Sequence, residues 1–405
     1  MYGFVFMATE AFIFATLIFS LRRGAFCPFP DIAIVYLAFL EMVLFLQING
    51  NIDYEFLASY SSYSFEKNFG VISSAMALYS LALMYSKYKS FSKIDYKAIF
   101  SKISIPGYAV ITMAVVFYIL TFTIVINMNL DVVWKNDMYL LMASPDVMKT
   151  NSAFTSQLIM LINPISLLSS VMFFLLYMKG DRAYWIFFPI FIWWLLFLLG
   201  SHSRNAALLI GIGAFLAMFL GRRWLALGLL LLVCIAIPQA LVGRSGNFHG
   251  ISQVGNALPL AYKGITEDYG QIIANTGEGV FVSAEALNFH PVFPTSYVIL
   301  SFSPLVNAID GYQDAYTRDG IRLSEYVPMS AINEAVAFGW PYFIIYIAFQ
   351  IFAGRATTKV LSKNPGLLPV FMNVAITFGF LQQFAYALRT CFRWFFYPLV
   401  FCFFV

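Results

Sequence analysis

The chain has 405 residues, of which 61% are hydrophobic and only 11% charged, with a mean hydropathy of +0.78 and a formal net charge of +4. A soluble domain keeps about a quarter of its residues charged, so this composition excludes an ordinary water-facing globule and makes lipid the main solvent. Cys27, Cys234, Cys391 and Cys402 are scattered and form no CxxC pair, which supplies no zinc or iron–sulfur ligand set; they read as small buried hydrophobes.

A span needs about 20 apolar residues. Runs of this kind fall at 3–20, 31–48, 69–86, 105–128, 153–178, 183–200, 205–220, 224–242, 335–354, 366–386 and 391–405. They predict an all-α polytopic membrane protein of about eleven transmembrane helices. Eight lie in 1–242, a large loop with short helices occupies 243–334, and three more lie in 335–405. The first run is followed by Arg22 and Arg23 instead of being preceded by a basic segment, so it reads as a retained span and not as a cleaved signal. Glu10 and Glu41 fall within spans, as hydrogen-bonded acids between helices or as part of a proton path.

Alternate loops carry the basic residues: Arg22 and Arg23; Lys87, Lys89, Lys93, Lys97 and Lys102; Lys179 and Arg182; Arg222 and Arg223; Arg355, Lys359 and Lys363. The opposite loops hold most of the acids. By the positive-inside rule the first set is cytoplasmic, which puts the N-terminus outside and the C-terminus inside; an additional upstream span would account for that start.

Ser201-His202-Ser203-Arg204-Asn205 joins two spans on the outer side. Ser203 is placed to cap the following helix, whose N-terminal N–H groups and dipole, with Arg204, would favour an anion such as phosphate. The alternative is an ordinary cap beside a snorkelling arginine. The loop then opens with Gly243-Arg244-Ser245-Gly246-Asn247-Phe248-His249-Gly250. Its glycines admit close backbone approach, Arg244 offers a planar fork to phosphate, and His249 is a candidate proton carrier; a plain glycine-rich turn is the competing reading. Within the loop, Gly279 to Phe289 is expected to form a short helix, and Tyr297 to Ile309, broken by Pro304, an interfacial half-helix.

From Asp310 to Glu334 come Asp314, Arg318, Asp319, Arg322, Glu325 and Tyr326. Two arginines among carboxylates near the membrane suit phosphates and sugar hydroxyls, or else pair among themselves in solvent. Glu334, beside the start of a span, is either a cap or a general base, with the helix dipole expected to hold it ionised. Arg389 and Arg393, at the outer end of the last two spans, read as interface anchors. No Walker A, GxGxxG, HExxH or GxSxG pattern occurs, nor a DxD or ExD pair in the outer loops, which counts against ATP hydrolysis, zinc proteolysis and metal-dependent sugar-nucleotide transfer.

Three stretches resemble one family. His202-Ser203-Arg204-Asn205 with the apolar run after it, Arg244 followed by Gly255 with ten residues between, and Ser303-Pro304 with Ile309-Asp310-Gly311 and then Asn333-Glu334-Ala335-Val336-Ala337-Phe338-Gly339 are similar to segments of the bacterial Wzy-type O-antigen polymerases. The motifs cover about 40 residues, while the layout of many spans and one late outer loop covers most of the chain. The resemblance implies the O-antigen polymerase and ligase glycosyltransferase scaffold in a bacterial inner membrane. It implies transfer of a glycan from undecaprenyl pyrophosphate to the terminal sugar of another lipid-linked repeat unit, releasing undecaprenyl pyrophosphate. No metal or other cofactor and no nucleic acid is expected; the bilayer, the lipid-linked oligosaccharide and a chain-length regulator protein are the expected partners. Arg204, Arg244, Arg318 and Arg322 would neutralise the leaving group, and His249, Glu325 or Glu334 would take the acceptor's proton. The rival readings are an O-antigen ligase acting on lipid A core, for which His290 lacks the expected surroundings, and a flippase or other transporter.

Overall fold

The computed structural model describes residues 96–135, 147–150, 153–220, 222–242, 249–266, 292–305, 310–320, 329–384 and 386–404, together with most of 69–81 and the single residues Ala8, Ala11, Ala38 and Lys67. Among them the only regular structure is helix, beside one isolated bridge between Met128 and Met148. Among the described residues four helices are long and apolar enough to cross a membrane, which marks an all-α membrane protein. It divides into two compact units, Tyr96–Ile272 and Met1–Asp95 with Ile273–Val405.

The Tyr96–Ile272 unit contains α1 (Tyr96–Lys102), α2 (Gly107–Asn127), α3 (Leu130–Lys135), α4 (Ala153–Lys179), α5 (Tyr184–Gly200), α6 (Asn205–Phe219), α7 (Arg223–Val242) and α8 (Val254–Thr266). Long uncharged runs make α2, the Leu161–Lys179 part of α4 and Arg223–Ala240 of α7 span-length. Large apolar side chains on α2, including Ile111, Ile119 and Phe122, stand exposed where lipid would cover them. Helix α4 contains Pro164, which withdraws a backbone donor; nearby the hydroxyls of Ser166 and Ser169 donate to the carbonyls of Asn163 and Ser166. Ser170 Oγ donates 2.8 Å to Leu209 O and Asn205 Nδ2 2.8 Å to Asn163 Oδ1, tying α4 to α6. Small polar groups of this kind hold helices together where no hydrophobic force acts between them.

Both α4 and α5 end in the same turn. Asp181 N donates 3.0 Å to Leu176 O and Gly180 N 3.0 Å to Tyr177 O, with Gly180 left-handed at φ +74°. At the end of α5, Ser203 N donates 2.9 Å to Leu198 O and His202 N 3.1 Å to Leu199 O, and the left-handed position is occupied by His202 at φ +49°. This is a Schellman terminus with histidine where glycine is usual. At the opposite end of the unit, Lys179 Nζ donates to Ile103 O and Arg222 to Met178 O, so the cations before and after the α4–α5 and α6–α7 connections gather together.

The other unit includes helical residues within 69–81, then α9 (Thr295–Ser301), α10 (Tyr312–Asp319), α11 (Ala331–Ala337), α12 (Trp340–Lys363), α13 (Leu367–Gln382) and α14 (Leu388–Phe401). The span expected at 335–354 is displaced. Gly339, at φ +124°, interrupts the helix, so 331–337 form a separate turn-length helix and the span-length helix runs from Trp340 to Lys363. That backbone region is open essentially to glycine alone. Arg355, Lys359 and Lys363 therefore lie on the last turns of α12 instead of in a loop, where cations complement the helix dipole.

Helices α12, α13 and α14 pack on one another around buried polar bridges. Tyr79 Oη donates to Gln350 Oε1, and Gln350 Nε2 donates 2.8 Å to Gln383 Oε1. Asn373 Nδ2 reaches Pro369 O at 2.7 Å and Thr357 O at 3.2 Å.

The half-helix expected over Tyr297 to Ile309 is shorter: α9 closes at Ser301, before Pro304. The short helix expected over Gly279 to Phe289, the acids Glu10 and Glu41, and the residues Arg244, His290, Arg322 and Glu325 lie outside the described residues.

Candidate functional sites

Each unit holds one concentration of chemistry-bearing side chains. In the Tyr96–Ile272 unit it lies at the end opposite the clustered cations. Gly250 N donates 2.9 Å to Gly200 O, and a Cβ on Gly200 would stand 2.8 Å from the carbonyl carbon of Gly250. Only bare backbone permits this approach. It draws the 201–205 turn against the turn at Gly250, which is the juxtaposition of two motifs that sequence separates by some forty residues. The rings of His202 and His249 meet edge to face, with centroids 5.0 Å apart. Ser203 Oγ accepts from Asn205 N at 3.3 Å, so the expected cap of α6 is present. Arg204, half-buried, stands at the start of that helix. Ser252 Oγ donates 2.6 Å to Trp134 O and closes the rim.

In the other unit the site is built around Glu334. Ser330 caps α11, its Oγ accepting from Asn333 N at 3.3 Å, and Ala331 N donates to Gln383 O and Tyr386 O at 3.0 and 2.9 Å. These bonds bring the first turn of α11 against the start of α14. Glu334, 2% exposed, accepts there from Leu388 N at 2.7 Å through Oε2 and from Tyr297 Oη at 2.8 Å through Oε1. The carboxyl thus caps α14, not the span that follows its own helix. Burial is the dominant influence and raises its pKa from 4.5 to about 7, against the lowering effect of the Leu388, Tyr297 and Ser301 hydrogen bonds. The expectation that a helix dipole would hold Glu334 ionised is corrected: loss of solvent outweighs the dipole and the donors.

Phe293, Tyr297, Tyr312 and Tyr316 form a ladder of stacked rings with successive centroids 5.5, 6.1 and 5.6 Å apart. Burial pushes the hydroxyls of Tyr297 and Tyr312 far above the ordinary tyrosine pKa, with the Glu334 charge adding to it, so both stay protonated. Phe293, Tyr297, Tyr316, Met329 and Ala387 line a narrow crevice together with Glu334.

Arg389 follows directly on Leu388. It is 1% exposed, which overturns its reading as an interface anchor. Its guanidinium donates 2.6 Å to Asp310 Oδ2, 2.6 Å to Leu300 O and 2.7 Å to Leu305 O, and lies 4.2 Å from the centroid of the Tyr312 ring. Asp310 also accepts from Ser303 Oγ at 2.8 Å and Tyr312 N at 3.2 Å. Burial alone would raise its pKa, but the Arg389, Ser303 and Tyr312 hydrogen bonds prevail and hold it below the usual carboxylate value. Arg393 donates to Leu305 O as well.

The remaining candidates divide. Arg318 points to solvent and its charge is taken by the adjacent Asp319, 2.8 Å away, which is the self-paired alternative. Glu334 is in a built site, and His249 with Arg204 in another. Asp310, Tyr297 and Arg389 are the members that sequence reasoning did not select. The signal for Arg389 was its place between two apolar runs, but sequence did not name its acid partner.

No family model, no curated protein and no solved structure matches the chain.

Proposed function

We propose that the chain is a multi-pass membrane glycosyltransferase that polymerises undecaprenyl-pyrophosphate-linked oligosaccharide repeat units, with its large loop on the outer face of a bacterial inner membrane. The observation that carries the reading is Glu334: a buried carboxyl, placed beside an aromatic crevice, whose proton affinity is near neutral. A general base works best when its pKa lies near the operating pH. The acceptor hydroxyl attacks the anomeric carbon of the donor glycan, the bond from that carbon to the pyrophosphate oxygen breaks, and the acceptor's proton passes to Glu334. Undecaprenyl pyrophosphate departs as the anion. Tyr297 fixes the carboxyl while remaining protonated itself.

Arg204, at the start of α6, and Arg244 and His249 are assigned to phosphate recognition, on the strength of the Gly200–Gly250 contact that gathers the first and last of them. Arg318 is withdrawn from that role because Asp319 already neutralises it. Arg322 and Glu325 keep it on sequence grounds alone. The eleven-span topology belongs to the same proposal.

The test is the purified protein with a synthetic lipid-linked repeat unit, scored for a product ladder. The wild type should build it and Glu334→Gln should not, although both bind the substrate. A full ladder from Glu334→Gln would remove the proposal's central residue.

A buried carboxyl near neutral also suits a proton-coupled transporter. Gene deletion separates the two: single capped repeat units on the surface indicate lost polymerisation, whereas lipid-linked units retained on the cytoplasmic face indicate lost transport.

A further inference from the structure

We propose that Arg389 is a positioning residue for Glu334, acting through a clamp made with Asp310 and Tyr312; this deepens the reading of Glu334 as proton acceptor and rests on it. One guanidinium gathers groups from the end of α9, from Leu305 and from the start of α10. Two carbonyls, at Leu300 and Leu305, and the Asp310 carboxylate converge on Arg389, and the carboxylate in turn holds Ser303 and the first N–H of α10. This fixes the Tyr312 ring under the guanidinium on one side and against the Tyr297 ring on the other.

The groups facing Glu334 are Tyr297 and Ser301 on α9, Tyr312 on α10, Leu388 N and Cys391 on α14, and Tyr346 on α12. None carries a charge in the neutral range. Arg389, the residue after the Leu388 donor, is committed to Asp310 at 2.6 Å. The clamp therefore does two things at once. It packs the ladder that keeps water from Glu334, and it holds a positive charge beside the site in neutralised form, so the carboxyl is not driven to ionise. A lysine at 389 keeps the charge but has no planar fork to bridge two carbonyls and a carboxylate, and it stacks poorly on a ring.

The experiment reads Glu334 itself. The carboxylic-acid infrared band of the purified full-length protein is titrated in wild type, Glu334→Gln, Arg389→Lys and Tyr312→Leu. The band absent from Glu334→Gln identifies the residue, and in wild type it should disappear around neutral pH. In Arg389→Lys the midpoint should fall by about one pH unit or more as water enters, since burial is the main raising influence. Tyr312→Leu, which leaves the ion pair intact but removes the ring between it and Tyr297, should move it the same way by less. It remains informative if the lysine variant does not fold. Unchanged midpoints in the folded variants would overturn the clamp while leaving the base in place. A Glu334 band that vanishes at ordinary carboxyl pH in wild type would instead overturn the base. Transfer rates against pH should follow the same displaced midpoints.

Discussion

His202 holds a backbone conformation for which glycine is the ordinary residue, and the same turn at the end of α4 uses Gly180. A left-handed residue other than glycine costs about 1–2 kcal/mol. His202→Gly should therefore fold with equal or greater stability by thermal unfolding. If its imidazole serves the phosphate site with His249, transfer should fall although the protein is sturdier. Unaltered transfer would reduce the histidine to a tolerated turn residue. Glu334 gives the complementary case, in which function is held at the expense of stability. Below pH 4.5 the carboxyl is protonated folded or unfolded. As pH rises from 4.5 to about 7, the unfolded chain loses the proton while the folded chain keeps it, so stability declines across that window and is flat above it. The loss is about 3 kcal/mol. Glu334→Gln should lack this decline in thermal unfolding measured across the same range.

At the scale of elements, Gly200 and Gly250 decide whether the two segments proposed to bind phosphate meet. Gly200→Ala forces a methyl against the Gly250 backbone and should cost about 1–3 kcal/mol of stability. The damage should be local, so transfer is expected to drop more than folding does; a protein of wild-type activity would show that the contact is dispensable. Asn373→Ala, which removes the bridge from α13 to Thr357 O of α12, should cost about 1 kcal/mol in the membrane, read by thermal unfolding.

Most of these elements were legible beforehand, because apolar length is a direct readout of span: the runs at 105–128, 153–178, 183–200, 205–220 and 224–242 return as α2 and α4 to α7 with ends within a few residues. The break at Gly339 was not, since hydropathy runs straight through it and a positive φ leaves no trace in composition. Nor was the Arg389 clamp. A charge at a span's edge looks the same whether it faces lipid headgroups or an acid eighty residues away. Glu334 was legible as a candidate, but the direction of its titration depends on burial, which sequence does not show.

For the molecule as a whole, the alternation of basic loops predicts which faces stay in the cytoplasm. In a cysteine-free background, single cysteines at Arg182 and Arg223 should resist an impermeant thiol reagent added to intact cells, and one at Ser203 should react. The reverse pattern would invert the topology and put the phosphate site on the wrong side for a lipid-linked glycan exported before use. Within the Tyr96–Ile272 unit Lys179 and Arg222 share one end and the 201–205 turn lies at the other, so the labelling also decides which face each end occupies.

The carbonyls on which Lys179 and Arg222 rest have a temporal meaning for biogenesis. Arg222 comes out of the ribosome more than forty residues after Met178, so its guanidinium finds that oxygen only once α5 and α6 have formed and doubled back. Until then the two connections are free cations that can still be dragged across. Afterwards each is bonded to the carbonyl of an earlier segment, and the pair holds that end of the Tyr96–Ile272 unit together.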